Sequence, residues 1–139
     1  MSYVDLITAA QDAVFAALAP IASNTTMPAG TQVLQHVPEG VLPPFVRIGH
    51  VTSENQTDMD DEQHELITVE VHSIYRGEAR RGLLKMMAAV RTALQGQPIA
   101  AAGAGFETPC FVKAEAGAAI SDGVTYVGLS IFKFHAWPG

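Results

Sequence analysis

The first 21 residues carry apolar side chains at helical spacing. Apolar residues recur every three or four positions and fall on one helical face: Ile7, Ala10, Val14, Leu18 and Ile21. Pro20 interrupts this pattern, because proline lacks the backbone N–H that a continuing helix needs. We therefore predict an alanine-rich helix over residues 2–19.

A second helical pattern occupies residues 76–97, RGEARRGLLKMMAAVRTALQGQ. Its apolar face is formed by Leu83, Met87, Val90 and Leu94. Gly96 and Pro98 follow the last apolar position, as is typical of a helix C-terminus.

Strict alternation of apolar and polar residues marks the clearest strand, EQHELITVEVHSIY at residues 62–75. One face carries Ile67, Val69 and Val71, and the opposite face carries Leu66, Thr68, Glu70 and His72. Weaker strand patterns cover residues 31–37, 45–52, 106–116 and 124–137.

The last strand, VTYVGLSIFKFHAW, is apolar on both faces for much of its length. One face is expected to pack on the helices, and the other then needs a cover. Two explanations stay open: a neighbouring copy of the chain covers this face, or part of the strand lies at the centre of the sheet and is fully buried.

The predicted order is helix, three strands, helix, two strands. This α-β-β-β-α-β-β order favours an α+β fold, with a mainly antiparallel sheet and two helices packed on one face. The length of 139 residues and the absence of repeats indicate one domain over residues 1–139.

Composition narrows the classes of function. The net charge of −6 disfavours a nucleic-acid-binding surface. The one cysteine, Cys110, excludes an internal disulfide and is expected to be buried and inert within its strand. The N-terminus lacks a basic leader, and no run of about 18 apolar residues is apparent, so we expect a cytoplasmic protein without a membrane span.

Sequence motifs for catalysis are not found. The five histidines show no HxxxH or HExxH spacing, and neither a GxSxG elbow nor a phosphate-binding glycine loop occurs. We therefore predict no enzyme, no metal and no cofactor. A small ligand-binding site built from His72, Glu70 and Arg47 is the alternative.

Acidic residues concentrate between the second and third predicted strands. This acidic segment, placed in a loop over residues 53–63, contains Glu54, Asp58, Asp60, Asp61 and Glu62. It lacks the glycine and the closing glutamate of a calcium loop. Either it is a solvated loop that protects a sheet edge, or it contacts a partner or lines a channel through which DNA passes without sticking.

Basic residues concentrate on the second predicted helix: Arg76, Arg80, Arg81 and Lys85, followed by Arg91. The simplest interpretation is a solvated helix face. The alternative is an interface with the acidic segment of the next copy in a ring.

Three stretches together resemble the tail terminator, or tail completion, proteins of phages, prophages and gene transfer agents. The first is an alanine-rich helix followed by VLQHVPEGVLPPFVRIGHVTSE, and the second is EQHELITVEVHSIYRGEARRGLLKMMAAVRTAL. The third is the closing strand VTYVGLSIFKFHAW, so the resemblance runs from about Asp5 to Trp137.

This resemblance implies an α+β sandwich without catalytic residues. It also implies a virion protein that caps the head-proximal end of the tail tube, commonly as a hexameric ring. Its expected partners are other copies of itself, the tail tube protein and the head-side connector, with DNA passing through the lumen unbound. Another neck or head-closure component is the alternative within the same class.

Overall fold

The structure is a computed structural model, and it describes residues 3–56 and 62–139. Helix α1 spans Leu6–Leu18 and continues into a 3-10 turn, Ala19–Ser23, and helix α2 spans Arg81–Leu94. The strands are β1 Gln32–Leu34, β2 Phe45–Asn55, β3 Glu65–Arg76, β4 Ala104–Phe106, β5 Cys110–Ala116 and β6 Thr125–Pro138.

The six strands form one sheet in the order β1-β2-β3-β6, and β4 and β5 both pair with the far edge of β6. All pairings are antiparallel except that of β1 with β2, which is parallel. The predicted α+β fold and the predicted element order are confirmed.

The strand predicted over residues 106–116 is in fact two strands. β4 ends at Phe106 and β5 begins at Cys110, so Glu107–Pro109 lies between them. Pro109 has no N–H to donate to a ladder, and the Glu107 carboxylate instead accepts a bond from the His135 backbone. This interruption splits the segment.

The pairing of β3 with β6 forms the centre of the sheet, with continuous register from Glu65 opposite Ala136 to Arg76 opposite Thr125. Alternate residues of β3 are buried, as the sequence pattern predicted. On β6 the buried positions include Phe132 and Phe134.

Both helices pack on the face of the sheet that carries these buried residues. The helical side chains that are fully buried there include Leu6, Val14, Leu18, Leu83, Val90 and Leu94. Burial of each large aliphatic side chain stabilises the fold by about 1.5–3 kcal/mol. The Asp5 carboxylate caps the first turn of α1 by accepting from the Thr8 N–H at 3.0 Å.

The N-terminal helix and the turn after it form a longer apolar run than the sequence analysis recognised. Residues 6–23 have a mean hydropathy of 1.5, and their length and composition would suit a membrane span. The buried side chains of α1 pack against the sheet, however, as those of a core helix do. Asp12 is the one charged residue among residues 6–23, and a single charge does not lower their mean hydropathy below that of a membrane span.

The opposite face of the sheet has no helix over it in the described chain. On β6, Val127 is 41% exposed, and Leu129 and Ile131 are half-buried. β6 is therefore an interior strand of the sheet, but its outer face is not buried within one copy. The sequence analysis left open whether a neighbouring copy covers this face or whether the strand is fully buried at the sheet centre. Full burial does not hold for this face.

Candidate functional site

The two described parts of the acidic segment, residues 53–56 and 62–63, lie where β2 ends and where β3 begins. β2 extends to Asn55, further than predicted, so Glu54 is an exposed strand residue. Glu62 is exposed just before β3. Asp58, Asp60 and Asp61 lie outside the described residues.

The Glu65 carboxylate joins the two strands next to the acidic segment by hydrogen bonds. Glu65 is only 8% exposed, and it accepts from the Ser53 hydroxyl and from Gln63 Nε2, both at 2.5 Å. No cation is needed to hold Glu65, because two neutral donors satisfy its oxygens.

Gln63 also ties the N-terminal segment to the same place. The Val4 N–H donates to Gln63 Oε1 at 3.0 Å, and Gln63 Nε2 donates to the Val4 carbonyl at 2.8 Å. The side-chain amide thus pairs with the Val4 backbone as a neighbouring strand would, although 59 residues separate the two in sequence.

A cluster of aromatic and ionisable residues completes this end of the sheet. The His64 and His135 rings meet edge to face at 5.1 Å, and the Trp137 ring lies 6.0 Å from His64. The His135 N–H donates to Glu107 at 2.8 Å, and this bond lowers the pKa of Glu107. The sequence analysis missed this cluster, because only the β3–β6 and β4–β6 pairings bring its members together.

Basic residues gather at the opposite end of β3. The prediction that all four lie on the second helix was wrong for Arg76 and Arg80, since α2 begins only at Arg81. Arg76 is the last residue of β3, and its Nε donates to the Thr125 hydroxyl at 3.4 Å. Arg80 occupies the N-cap position of α2 without a capping bond from its side chain, and its Nη1 donates to the Ala116 carbonyl at 3.2 Å. They were placed on the helix because the helical pattern was begun at Arg76, before Gly77, whereas the helix starts four residues after this glycine.

Arg81 and Lys85 line a groove of 690 Å³ beside the start of α2, together with one acidic residue, Glu78. The Tyr75 ring forms part of its wall, together with residues 25–28. Gly82 faces the Tyr75 ring so closely that a Cβ there would overlap it. Within the described chain, no carboxylate forms an ion pair with Arg81 or Lys85. We name this groove, with its two cations, the basic groove.

The acidic end and the basic groove are separated by the length of β3. At about 3.3 Å per residue, its 12 residues place the two ends roughly 36 Å apart. Glu54 and Glu62 of one copy therefore cannot reach the basic groove of the same copy.

The alternative ligand site lies on the flat outer face of the sheet. His72 Nε2 is 3.4 Å from Glu70 Oε1, and Arg47 is the register partner of His72 on β2. His72 also lies over Gly49, where a side chain would collide with its ring. The three residues therefore lie near one another on this surface. None of them lines the basic groove.

Two further expectations concern chemistry. Cys110, predicted to be buried, is exposed, because β5 is an edge strand and Cys110 is its first residue. Within residues 3–56 and 62–139, no three histidine, cysteine or acidic side chains are grouped closely enough to hold a metal ion.

A family model described as Tail completion protein gp17 matches residues 12–134. The chain belongs to this family. The resemblance to tail completion proteins inferred from the sequence is thus confirmed. The chain is a structural protein of a phage-type tail and a component of the virion, where it contacts other virion proteins.

Among solved structures, the chain is similar to one from the virion of a native gene transfer agent particle. The TM-score is 0.75 at 20% sequence identity, over 99% of this chain and 100% of the other. This likeness establishes a shared fold over almost the whole length. No curated protein matches the chain.

Proposed function

We propose that the chain forms a ring that caps the head-proximal end of the tail tube. In this role it ends polymerisation of the tube protein and offers the opposite ring face to the head-side connector. Membership in the tail completion family supports the placement at a tail. The main support for a ring is that the length of β3 separates the acidic end of each copy from its basic groove.

A ring of identical subunits uses two different, complementary surfaces of each copy. The acidic segment, with Glu54 and Glu62, meets this requirement on one side, and Arg81 and Lys85 meet it on the other. Since the two surfaces are too far apart to meet within one copy, their attraction acts between copies. Such charge complementarity sets register and partner choice more than affinity.

The position of the cations at the start of α2 supports an interface role. Arg80 is at the N-cap position, Arg81 is the first residue of the helix, and the first turn carries no acidic side chain. Cations at the positive end of a helix dipole are unfavourable by a few tenths of a kcal/mol each. An acidic partner surface would remove this penalty.

The ring role also accounts for the overall charge. DNA crosses the neck of a tail on its way out of the head, and a lumen wall that repels phosphates lets it pass. A net charge of −6 supports this passage without specific binding. In the ring, residues 1–139 act as one domain, and a hexamer is the stoichiometry that we propose.

Deletion of the gene tests the capping role directly. We expect electron micrographs of the resulting particles to show overlong or irregular tails beside DNA-filled, unjoined heads. Tails of normal, uniform length that remain joined to heads would exclude the role. Tails of normal length that stay unjoined would instead identify a head-closure component.

Charge reversal tests the acidic and basic surfaces. The R81E/K85E variant leaves the internal bonds of Arg76 and Arg80 in place, and we expect it to reduce recovery of the chain in particles. The matched rescue adds E54K and E62K to the same chain, which restores the attraction with exchanged signs. Equal recovery of all three proteins would show that these charges do not join copies.

A further inference from the structure

An apolar groove runs between α2 and the edge strand β5, on the helical side of the sheet. It encloses 370 Å³ and is separate from the basic groove. Its floor and walls are apolar side chains: Leu84, Met87, Ala88, Phe111, Ala114 and Ala116. Leu84 remains 50% exposed, although a leucine is a residue that folding normally buries.

A cation stands at each end of this apolar groove. At one end the Arg91 guanidinium lies 3.8 Å over the Phe111 ring, and its Nε donates to Gln95 at 2.6 Å. In the described chain no acceptor meets its two Nη atoms. At the other end Arg80 reaches the Ala116 carbonyl. The groove is therefore apolar along its length and positive at its ends.

An exposed apolar side chain lies in the connection between β1 and β2, away from the edge strand β5. Leu42 is 69% exposed, the largest exposed fraction of any leucine, isoleucine or valine in the described chain. The connection, residues 35–44, contains Glu39 and no lysine or arginine. We name it the proline loop, after Pro38, Pro43 and Pro44.

The proline loop holds Leu42 in a defined place. Pro38 to Val41 form a tight turn, in which the Val41 N–H donates to the Pro38 carbonyl at 3.4 Å and Gly40 has a φ of +85°. Glycine at this position suits a type II turn. Because Pro43 directly follows Leu42 and restricts its backbone to extended conformations, less conformational entropy is lost when Leu42 is bound.

The proline loop and the apolar groove lie towards opposite edges of the sheet, because β1 is the edge strand on one side and β5 pairs with the far side of β6. The loop joins β1 to β2, and β2 is three strand spacings from β5, roughly 14 Å. No residue of the proline loop lines the groove of its own copy. A second copy can offer its groove to this loop.

We propose that the proline loop of one copy docks into the apolar groove of the next, with Leu42 between α2 and β5 and Glu39 against Arg91. The inference rests on the proposed ring and identifies a contact within it. The side chains are complementary in shape and in charge: the apolar Leu42 enters an apolar groove, and the acidic Glu39 meets the two Nη atoms of Arg91, which lack an acceptor in the described chain. Since the two surfaces differ, the contact is head-to-tail and repeats from copy to copy.

Cysteine cross-linking tests the contact. The background variant is C110S, which removes the natural thiol, and the test pair is L42C with A114C. We expect a mild oxidant to link this variant into a ladder that extends beyond dimers, both in purified protein at high concentration and in purified particles. The control pair, L42C with T92C, places the second thiol on an exposed position of α2 outside the groove and is expected to give no ladder.

A charge exchange gives a second readout that does not depend on thiols. E39R and R91E are each expected to weaken self-association about tenfold, and the double variant E39R/R91E to recover most of it. Absence of the ladder in particles that contain the L42C/A114C variant would overturn the proposed contact. In that case the ring itself still stands if deletion of the gene gives overlong tails, and it falls with the contact if the tails are normal.

Discussion

His135 and Glu107 are joined through both their backbones and their side chains. The Glu107 N–H donates to the His135 carbonyl at 3.0 Å, and the His135 N–H donates to Glu107 Oε1 at 2.8 Å. The same carboxylate oxygen lies 2.5 Å from His135 Nδ1. Glu107 thus links the segment between β4 and β5 to β6.

This carboxylate makes stability depend on acid pH. The bond from the His135 N–H lowers the pKa of Glu107 below its usual value of 4.5. A carboxyl group with a lowered folded-state pKa stabilises the fold above its usual pKa, and loses this contribution as the pH falls through the lowered value. We expect urea midpoints of the wild type to fall more steeply below pH 4.5 than those of E107Q. The lowered carboxyl pKa values of Asp5 and Asp122 are common to both proteins, so parallel curves would contradict the assignment to Glu107.

The contact of Gly82 with Tyr75 reverses the usual effect of a helical glycine. Replacing a glycine inside a helix by alanine normally stabilises a protein by about 1 kcal/mol. Here the added Cβ would overlap the Tyr75 ring, and we expect G82A to destabilise by about 1–3 kcal/mol. In a Y75L background the overlap is relieved, so the same substitution should cost much less. Equal effects of G82A in both backgrounds, from urea unfolding, would show that the ring is not responsible.

Ser73 is fully buried on β3, and its hydroxyl has no hydrogen-bond partner among the described residues. Removing a buried polar group without a partner relieves a desolvation cost, so S73A is expected to leave stability unchanged or raise it by about 1 kcal/mol. The matched control is S53A, which removes the donor to Glu65 and should destabilise by about 1–3 kcal/mol. A loss of stability in S73A as large as that in S53A would mean that the Ser73 hydroxyl is bonded after all.

Gln63 holds the N-terminal segment by two bonds to the Val4 backbone. We expect Q63M to keep the bulk of the side chain, to lose both bonds to Val4 and the bond to Glu65, and to destabilise the protein by about 1–3 kcal/mol. Amide hydrogen exchange at Val4 should become faster, while exchange in β6 remains slow. The control Q35M removes only an exposed contact with Asp12 at 3.3 Å and should change neither. Unchanged exchange at Val4 in Q63M would contradict the role of this amide.

Local periodicity was sufficient to predict the elements whose burial repeats within a few residues. The alternation of Ile67, Val69 and Val71 became the buried face of β3, and the spacing of Leu83, Val90 and Leu94 became that of α2. These patterns are informative because each buried residue is specified by its own position within the element.

Features that depend on which strands are neighbours were not predicted. The exposure of Cys110 follows from the edge position of β5, and the clustering of His64 with His135 follows from the register of β3 with β6. The start of α2 was misplaced because arginine is a good helix former, and Gly77 between Arg76 in the strand and Arg81 in the helix was not taken as a break. Pairing over long sequence distances leaves no local pattern to detect.

The two ends of the described chain leave the molecule at the same place, next to Gln63 and the start of β3. The bonds between Gln63 and Val4 hold the N-terminal segment beside the start of β3, and the pairing of Ala136 with Glu65 brings the end of β6 to the same place. Any polypeptide fused before Val4 or after Gly139 therefore leaves the molecule next to Glu62 and far from Lys85. A fluorescent protein attached at either terminus would crowd the acidic side alone, so that labelled copies accept a neighbour at one side and block growth at the other.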